Sequence, residues 1–268
     1  MITVSIPIGS HIITPAQQEQ RRRYREEQER AAFKKQYGPR FGFILSDTRF
    51  EDIQPSILAR LVYLSTYLDY SGNLMLSQRK KMKRENLSSV LRVSVSSANR
   101  LWEATKGRYL FEDESEYVKM NTSFFLRGKL PYQGQQFQKL FLEEVRSLYE
   151  QSSPSKHKLL GYLFSLLPFI SVEHNILCFN PLEKDINELE PLSIDDFCGL
   201  IGYDPENRAR LIKAYSKIVF LSGGVPERFV FFVTDGADFS NAKMIVNPRL
   251  LFRGSDPVSV LNLCKLYE

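Results

Sequence analysis

Residues 87–121, LSSVLRVSVSSANRLWEATKGRYLFEDESEYVKMN, carry the decisive pattern of this chain. Lys83 to Leu91 places Leu87, Val90 and Leu91 on one face of a helix. Arg92-Val93 reads as a turn. Ser94 suits an N-cap, because its hydroxyl can accept a backbone N–H left without a partner in the first turn. From Val95 to about Lys106 the spacing predicts a second helix that buries Val95, Ala98, Leu101 and Trp102. Ser96, Ser97, Asn99, Arg100 and Glu103 stay outside. Helix, tight turn, helix is a helix-turn-helix pattern. Tyr109-Leu110-Phe111, a polar turn over Glu112 to Glu116, and Tyr117 to Met120 then predict a hairpin, which would form a wing.

Upstream, Pro55 opens a helix with Ile57, Leu58, Leu61, Val62, Leu64, Tyr67 and Leu68 at helical spacing. Tyr70-Ser71-Gly72-Asn73 stops it, and Leu74-Met75-Leu76 is short enough for a strand. The scheme then returns. Tyr63-Leu64 is answered by Tyr162-Leu163, 99 residues on, and Phe125-Leu126-Arg127-Gly128 by Leu251-Phe252-Arg253-Gly254, 126 residues on. Growing spacing means insertions in the second copy of a duplicated scheme. Its first helix carries Leu159, Leu160, Leu163, Phe164 and Leu167. Ser193 with Asp196 makes a capping box for Ile194 to Ile201, and Gly202 makes the turn. Asp204 as N-cap, with Pro205 behind it, opens the helix that holds Asn207, Arg208, Arg210 and Lys213. Ile218 to Leu221, Phe229 to Thr234 and Lys243 to Val246 read as strands, with turns at Gly223-Gly224 and Asp235-Gly236. Asp256-Pro257 starts a terminal helix.

Pro131 to Gln135 is turn-like, and Gln136 to Glu150 reads as a connector helix through Phe137, Leu140, Phe141, Val145 and Leu148. Pro15 to Gln36 reads as a charged helix. Its Arg21-Arg22-Arg23-Tyr24-Arg25 run can reach a phosphate backbone, while Glu26, Glu27 and Glu29 leave a salt-bridged surface helix as the alternative. Apolar Met1 to Ile13 has no basic start or small-residue cleavage site and reads as a docking strand, not a secretory leader. The expected fold is mainly α with small β-wings (α+β). It comprises an arm and charged helix over 1–40, a winged helix over 41–130, a connector helix over 131–155 and a winged-helix-like domain over 156–268.

With 268 residues, 43% hydrophobic and 25% charged, the chain can bury ordinary cores, and no apolar run suits a bilayer. A cytoplasmic protein without a membrane partner is expected. Cys178, Cys198 and Cys264 lack metal-ligand spacing and read as buried thiols. His11, His157 and His174 are scattered, and no phosphate-loop or dinucleotide motif occurs. No catalytic residue, metal or cofactor is expected. Net charge is only +5, but Gln78 to Arg108 holds nine basic residues against Glu85 and Glu103, a local balance of +7.

A helix fits the major groove of duplex DNA, and cations beside it neutralise phosphates. Arg100 can pair bidentately with guanine and Asn99 with adenine, while Ser94, Ser96 and Ser97 can reach base or phosphate. Arg79, Lys80, Lys81, Lys83, Arg84 and Lys106 would hold the backbone, with Asn207, Arg208 and Arg210 in equivalent roles on the second copy. The second copy is nearly neutral. The wing turn holds Glu112, Asp113, Glu114 and Glu116, which would repel phosphate, so it is expected to point away from DNA and stay free for a protein partner.

LARLVYLSTYLDYSGNLM (58–75) followed by residues 87–121 resembles helix-turn-helix proteins of phages and mobile elements of Gram-positive bacteria. The two-copy layout is similar to plasmid and phage replication initiators built from tandem winged helices. The closer resemblance covers about residues 41 to 130. It implies sequence-specific binding of double-stranded DNA at repeated sites, in transcriptional regulation or replication initiation, and association as dimers. A protein-interaction module binding a host or phage protein is the alternative.

Overall fold

Thr14 opens the first helix, α1 (Pro15–Tyr37). Its hydroxyl accepts the Gln17 N–H at 3.2 Å, and the Gln17 side chain accepts the Thr14 N–H at 3.0 Å. This reciprocal pair satisfies donors that no helical carbonyl can reach. The computed structural model describes residues 14–37, 41–46, 50, 52–129, 136–233 and 242–254, with 258 and 262. The fold is mixed α and β. It divides into a unit that holds α1 and a unit that holds everything from Phe41 onward.

In the second unit, β1 (Phe41–Leu45) leads to α2 (Pro55–Ser65) and the small hairpin of β2 (Met75–Ser77) and β3 (Lys80–Lys81). A 3-10 turn over Arg84–Asn86 precedes α3 (Leu87–Val90) and α4 (Val95–Thr105). The hairpin of β4 (Leu110–Glu112) and β5 (Val118–Met120) and the short β6 (Phe125–Leu126) complete this half. The other half runs β7 (Phe137–Phe141), α5 (Leu142–Gln151), α6 (His157–Ser165), α7 (Ile194–Ile201) and α8 (Arg208–Tyr215). Two hairpins follow, β8 (Val219–Ser222) with β9 (Val225–Arg228) and β10 (Val230–Val233) with β11 (Lys243–Val246), before β12 (Leu251–Phe252).

Hydrogen bonds recur between the halves. Asn121 donates its backbone N–H to Tyr109 and its side-chain amide to the Arg108 carbonyl, and accepts the Ser123 N–H. Asn247 does the same with Phe229, Arg228 and Arg249. Lys83 N–H bonds the Asn86 side chain at 2.8 Å, and 110 residues on Ser193 N–H bonds the Asp196 side chain at 3.0 Å. At the same offset Val93 N–H reaches Ser88 and Tyr203 N–H reaches Cys198. Arg92 (φ 52°) and Gly202 (φ 64°), also 110 apart, share the left-handed turn between the helices. Glycine adopts that turn freely. Arginine does so at some cost, and its side chain reaches Glu150 at 3.0 Å.

The halves meet in one antiparallel sheet of order β12-β7-β1-β6. Phe43 stands opposite Lys139 at its middle, and on the flanks Phe43 faces Leu126 as Lys139 faces Phe252. The sheet is two-fold about its centre. The expected connector helix over Gln136 to Glu150 is therefore half strand. Phe137, Leu140 and Phe141 have helical spacing, but they satisfy their backbone on both edges by pairing, and the helix starts only at Leu142. The expected boundaries at 130 and 156 fall inside one folded body, whose buried core includes residues from Ile44 to Leu251.

Other expectations shift by a residue or an element. Val95 is 65% exposed, because the first residue after the N-cap projects past the core that Ala98, Leu101 and Trp102 enter. The helix expected from Pro205 begins at Arg208, after a 3-10 turn. β9 was not foreseen. It pairs with β8 in a hairpin inserted between α8 and Phe229, which lengthens the second half. The docking strand over 1–13, the turns at 131–135 and 235–236, His11 and Cys264 lie outside the described residues, as does most of the terminal helix. Cys178 and Cys198 are free and buried, and burial pushes both thiols up.

Between α2, α5 and α6, Tyr63 stacks on Tyr149 at 4.0 Å and Tyr149 on His157 at 4.1 Å. His157 is 1% exposed, and burial, then the nearby Arg60 charge, pulls its pKa down to about 4 from 6.5. The unfolded chain thus binds this proton more readily than the folded one between those values. His157 contributes stability in full above pH 6.5 and loses it as pH falls toward 4. Glu144, raised to about 7 by burial, acts in the opposite sense, destabilising as pH rises above 4.5. Comparing wild type with His157→Gln isolates the imidazole. The wild-type stability advantage is expected to shrink by about 2 kcal/mol between pH 7 and pH 5 in urea unfolding; a constant difference would contradict a neutral buried His157.

Candidate nucleic-acid interface

The site is built on the cap of α4. Ser94 lies in extended backbone and accepts the Ser97 N–H at 3.2 Å, while the two hydroxyls bond at 3.0 Å. Both serines are thus engaged in the cap, and Ser97 is only half-exposed. Beyond them α4 is amphipathic: Ala98, Leu101, Trp102 and Thr105 enter the core, and Ser96, Asn99, Arg100 and Glu103 face water. Arg84 lies across this helix, its guanidinium 5.4 Å from the Trp102 ring, 3.4 Å from the Asn99 side chain and 3.9 Å from Glu103. Lys106 pairs with the same Glu103, whose carboxyl that contact holds below the usual range.

Folding cancels much of the local charge. Lys83 pairs with Glu116 at 3.1 Å, Arg92 with Glu150 at 3.0 Å and Arg108 with Asp52, all acids from outside the basic segment. Arg79, Lys80, Lys81 and Arg100 make no ion pair with any described residue. The first three sit on the β2–β3 hairpin. Together with Lys83, Glu85, Asn86 and Tyr117 they line an open cleft of about 450 Å³, and Lys81 lies 5.4 Å from the Tyr117 ring. The structure brings Arg84, Asn99 and Lys106 into one network on α4 and gathers Arg79, Lys80, Lys81 and Lys83 around the cleft.

The β4–β5 hairpin, expected as a wing that points away, does not stand clear of this surface. Lys83 bridges to Tyr117 through the backbone, so the β4–β5 hairpin lies beside the basic strand. Asp113 is spent inside the turn, accepting the N–H groups of Ser115 and Tyr117 at 3.0 Å each, and these bonds lower its carboxyl. Glu116 is drawn back to Lys83. Glu112 and Glu114 remain exposed.

In the second half Asp195, Asp196 and Asp204 are consumed locally, while Glu206 is exposed. Asp204 accepts the Glu206 N–H and the Asn207 side-chain amide, and Asp196 closes the Ser193 cap. Asp195 pairs with Arg208 at 3.4 Å. Asn207 and Arg208 are therefore engaged in holding the helix start, and Arg208 is half-buried at the position that Ala98 occupies in the first half. Arg210 is different. It is exposed, makes no ion pair with any described residue, and stands 110 residues from Arg100 at the same position of the repeated helix pair. Lys213 and Lys217 are exposed too, three and seven positions further on. The three therefore share one side of the helix and its end, a stripe that counting bases against acids concealed.

No protein-family model, curated protein or solved structure matches the chain. Among the described residues, no helix is long and apolar enough to cross a membrane, and no three His, Cys, Asp or Glu side chains gather in a metal-binding group.

Proposed function

We propose that the chain is a sequence-specific double-stranded DNA-binding protein whose halves are two winged helices. In this reading it acts in transcriptional regulation or replication initiation of a phage or mobile element. One observation carries it: Arg100 and Arg210 occupy the same exposed position on equivalent helices and make no ion pair with any described residue, while neighbouring cations do. An unpaired arginine on an exposed helix can meet a guanine edge bidentately, a contact that contributes about 1–3 kcal/mol of discrimination. Lys80, Lys81, Lys213 and Lys217 supply backbone contacts on either side. A two-fold relation between the halves, as in the registers of the central sheet, suits a site with inverted halves.

Footprinting over fragments of the parental genome tests this. Protection of two adjacent half-sites about 10 base pairs apart centre to centre is expected. Position at a promoter or among origin repeats then separates regulator from initiator. Protection of no fragment by folded protein would overturn the reading in favour of a protein-interaction module. That second reading is favoured by exposed Val219, Leu221 and Val225 on the inserted β8–β9 hairpin, a surface suited to a protein partner or a second copy of the chain.

A further inference from the structure

α1 is polar on every side, yet its charges are sorted. At about 100° per residue, Glu19, Glu26, Glu27 and Glu29 fall on one side of the helix. Cations meet two of them there. Glu19 pairs with Arg22 at 2.9 Å and Arg23 at 3.0 Å, and Glu26 with Arg22 at 3.9 Å and Arg30 at 3.7 Å. The Arg22 and Arg23 hydrogen bonds hold the Glu19 carboxyl below its usual range.

The opposite side, roughly 120° wide, carries Gln17, Arg21, Tyr24, Arg25, Gln28, Ala32 and Lys35 and no carboxylate. Arg21, Arg25 and Lys35 are exposed and make no ion pair with any described residue. Tyr24 is 65% exposed between the two arginines. A helix charged merely for solubility intersperses its signs around the cylinder. A helix that docks on an apolar groove needs an apolar stripe, and this face has none. Apart from the small Ala32, what remains is a row of cations, amides and one phenol, groups that bond phosphate oxygens.

We infer that this face of α1 lies along the phosphate backbone of duplex DNA. The inference rests on the DNA-binding reading of the second unit and adds a contact surface to it. From Arg21 to Lys35 the helix rises about 21 Å, comparable to the axial length of about six base pairs.

Two full-length variants of equal charge separate face from charge: Arg21→Ala/Arg25→Ala/Lys35→Ala and Arg22→Ala/Arg23→Ala/Arg30→Ala. Alanine favours helix, and circular dichroism checks that both keep it. Binding is read by fluorescence anisotropy on a mixed-sequence duplex of about 30 base pairs between about 50 and 200 mM salt. The first variant is expected to bind at least ~10-fold more weakly, with a slope of log K against log salt shallower by about 2 to 3; the second keeps the wild-type slope within about 1. Wild-type binding by the first variant, equal losses in both, or tighter binding to the matching single strand would overturn the inference. If wild type ignores the duplex altogether, the DNA-binding reading falls with it. If Lys80→Ala/Lys81→Ala/Arg100→Ala abolishes binding and the α1 face variant does not, only the inference about α1 falls.

Discussion

Lys80→Ala/Lys81→Ala/Arg100→Ala abolishes retention on duplex DNA, by the expected result, and leaves the unfolding midpoint where it was. None of the three cations makes an ion pair with a described residue, so truncating them removes no tertiary interaction of that kind. Each phosphate contact contributes about 0.9 to the salt slope, and a guanine contact adds about 1–3 kcal/mol at one base pair. Together these predict a loss of roughly 100-fold or more near 0.15 M salt. The informative comparison is Arg92→Ala/Lys106→Ala/Arg108→Ala. It removes the same charge from cations that Glu150, Glu103 and Asp52 already hold. That variant is expected to keep most of its affinity. Equal losses in the two would mean that net charge, not a positioned surface, attracts the polymer.

Gly161→Ala has the largest expected effect on folding. A Cβ at Gly161 would overlap the carbonyl oxygen and carbonyl carbon of Pro55, so the start of α2 rests directly on the backbone of α6. Neither neighbour is a flexible side-chain end, and the two helices must part to admit a methyl group. Overpacking costs about 1–3 kcal/mol in an ordinary core and more where backbone meets backbone, which outweighs the roughly 1 kcal/mol that alanine gains over glycine in a helix. A destabilisation of roughly 3 kcal/mol, or failure to fold, is expected in chemical denaturation. Gly199→Ala supplies the contrast. Nothing lies within 4 Å of its added Cβ and it sits in α7, so it should stabilise by about 0.5–1 kcal/mol. If the two substitutions behaved alike, the close crossing of α2 and α6 would be wrong.

Legibility in the sequence followed the range of the interaction. Ser94, Ser193 with Asp196, and Gly202 were readable because a cap or a left-handed turn is settled within a few residues. The β4–β5 hairpin was readable for the same reason. Phe137 to Phe141 misled, since five residues can satisfy two periods at once, and β1 and β12 decided between them. The candidate site was half legible. Arg100 stood out by type and spacing, whereas the loss of Lys83, Arg92 and Arg108 to ion pairs depended on acids 33, 58 and 56 residues away.

By itself the amino-acid order determined local pieces of this protein: the caps of α4 and α7, the left-handed turn at Gly202, the β4–β5 hairpin, and the placing of Ala98, Leu101 and Trp102 in the core. Only the tertiary structure decided that the halves share a sheet, that the acidic β4–β5 hairpin folds back on a lysine, and that Arg79, Lys80, Lys81 and Arg100 make no ion pair with any described residue. Caps and turns arise from bonds between near neighbours in the chain. Strand pairing and charge neutralisation depend on groups that meet only once the chain has closed on itself.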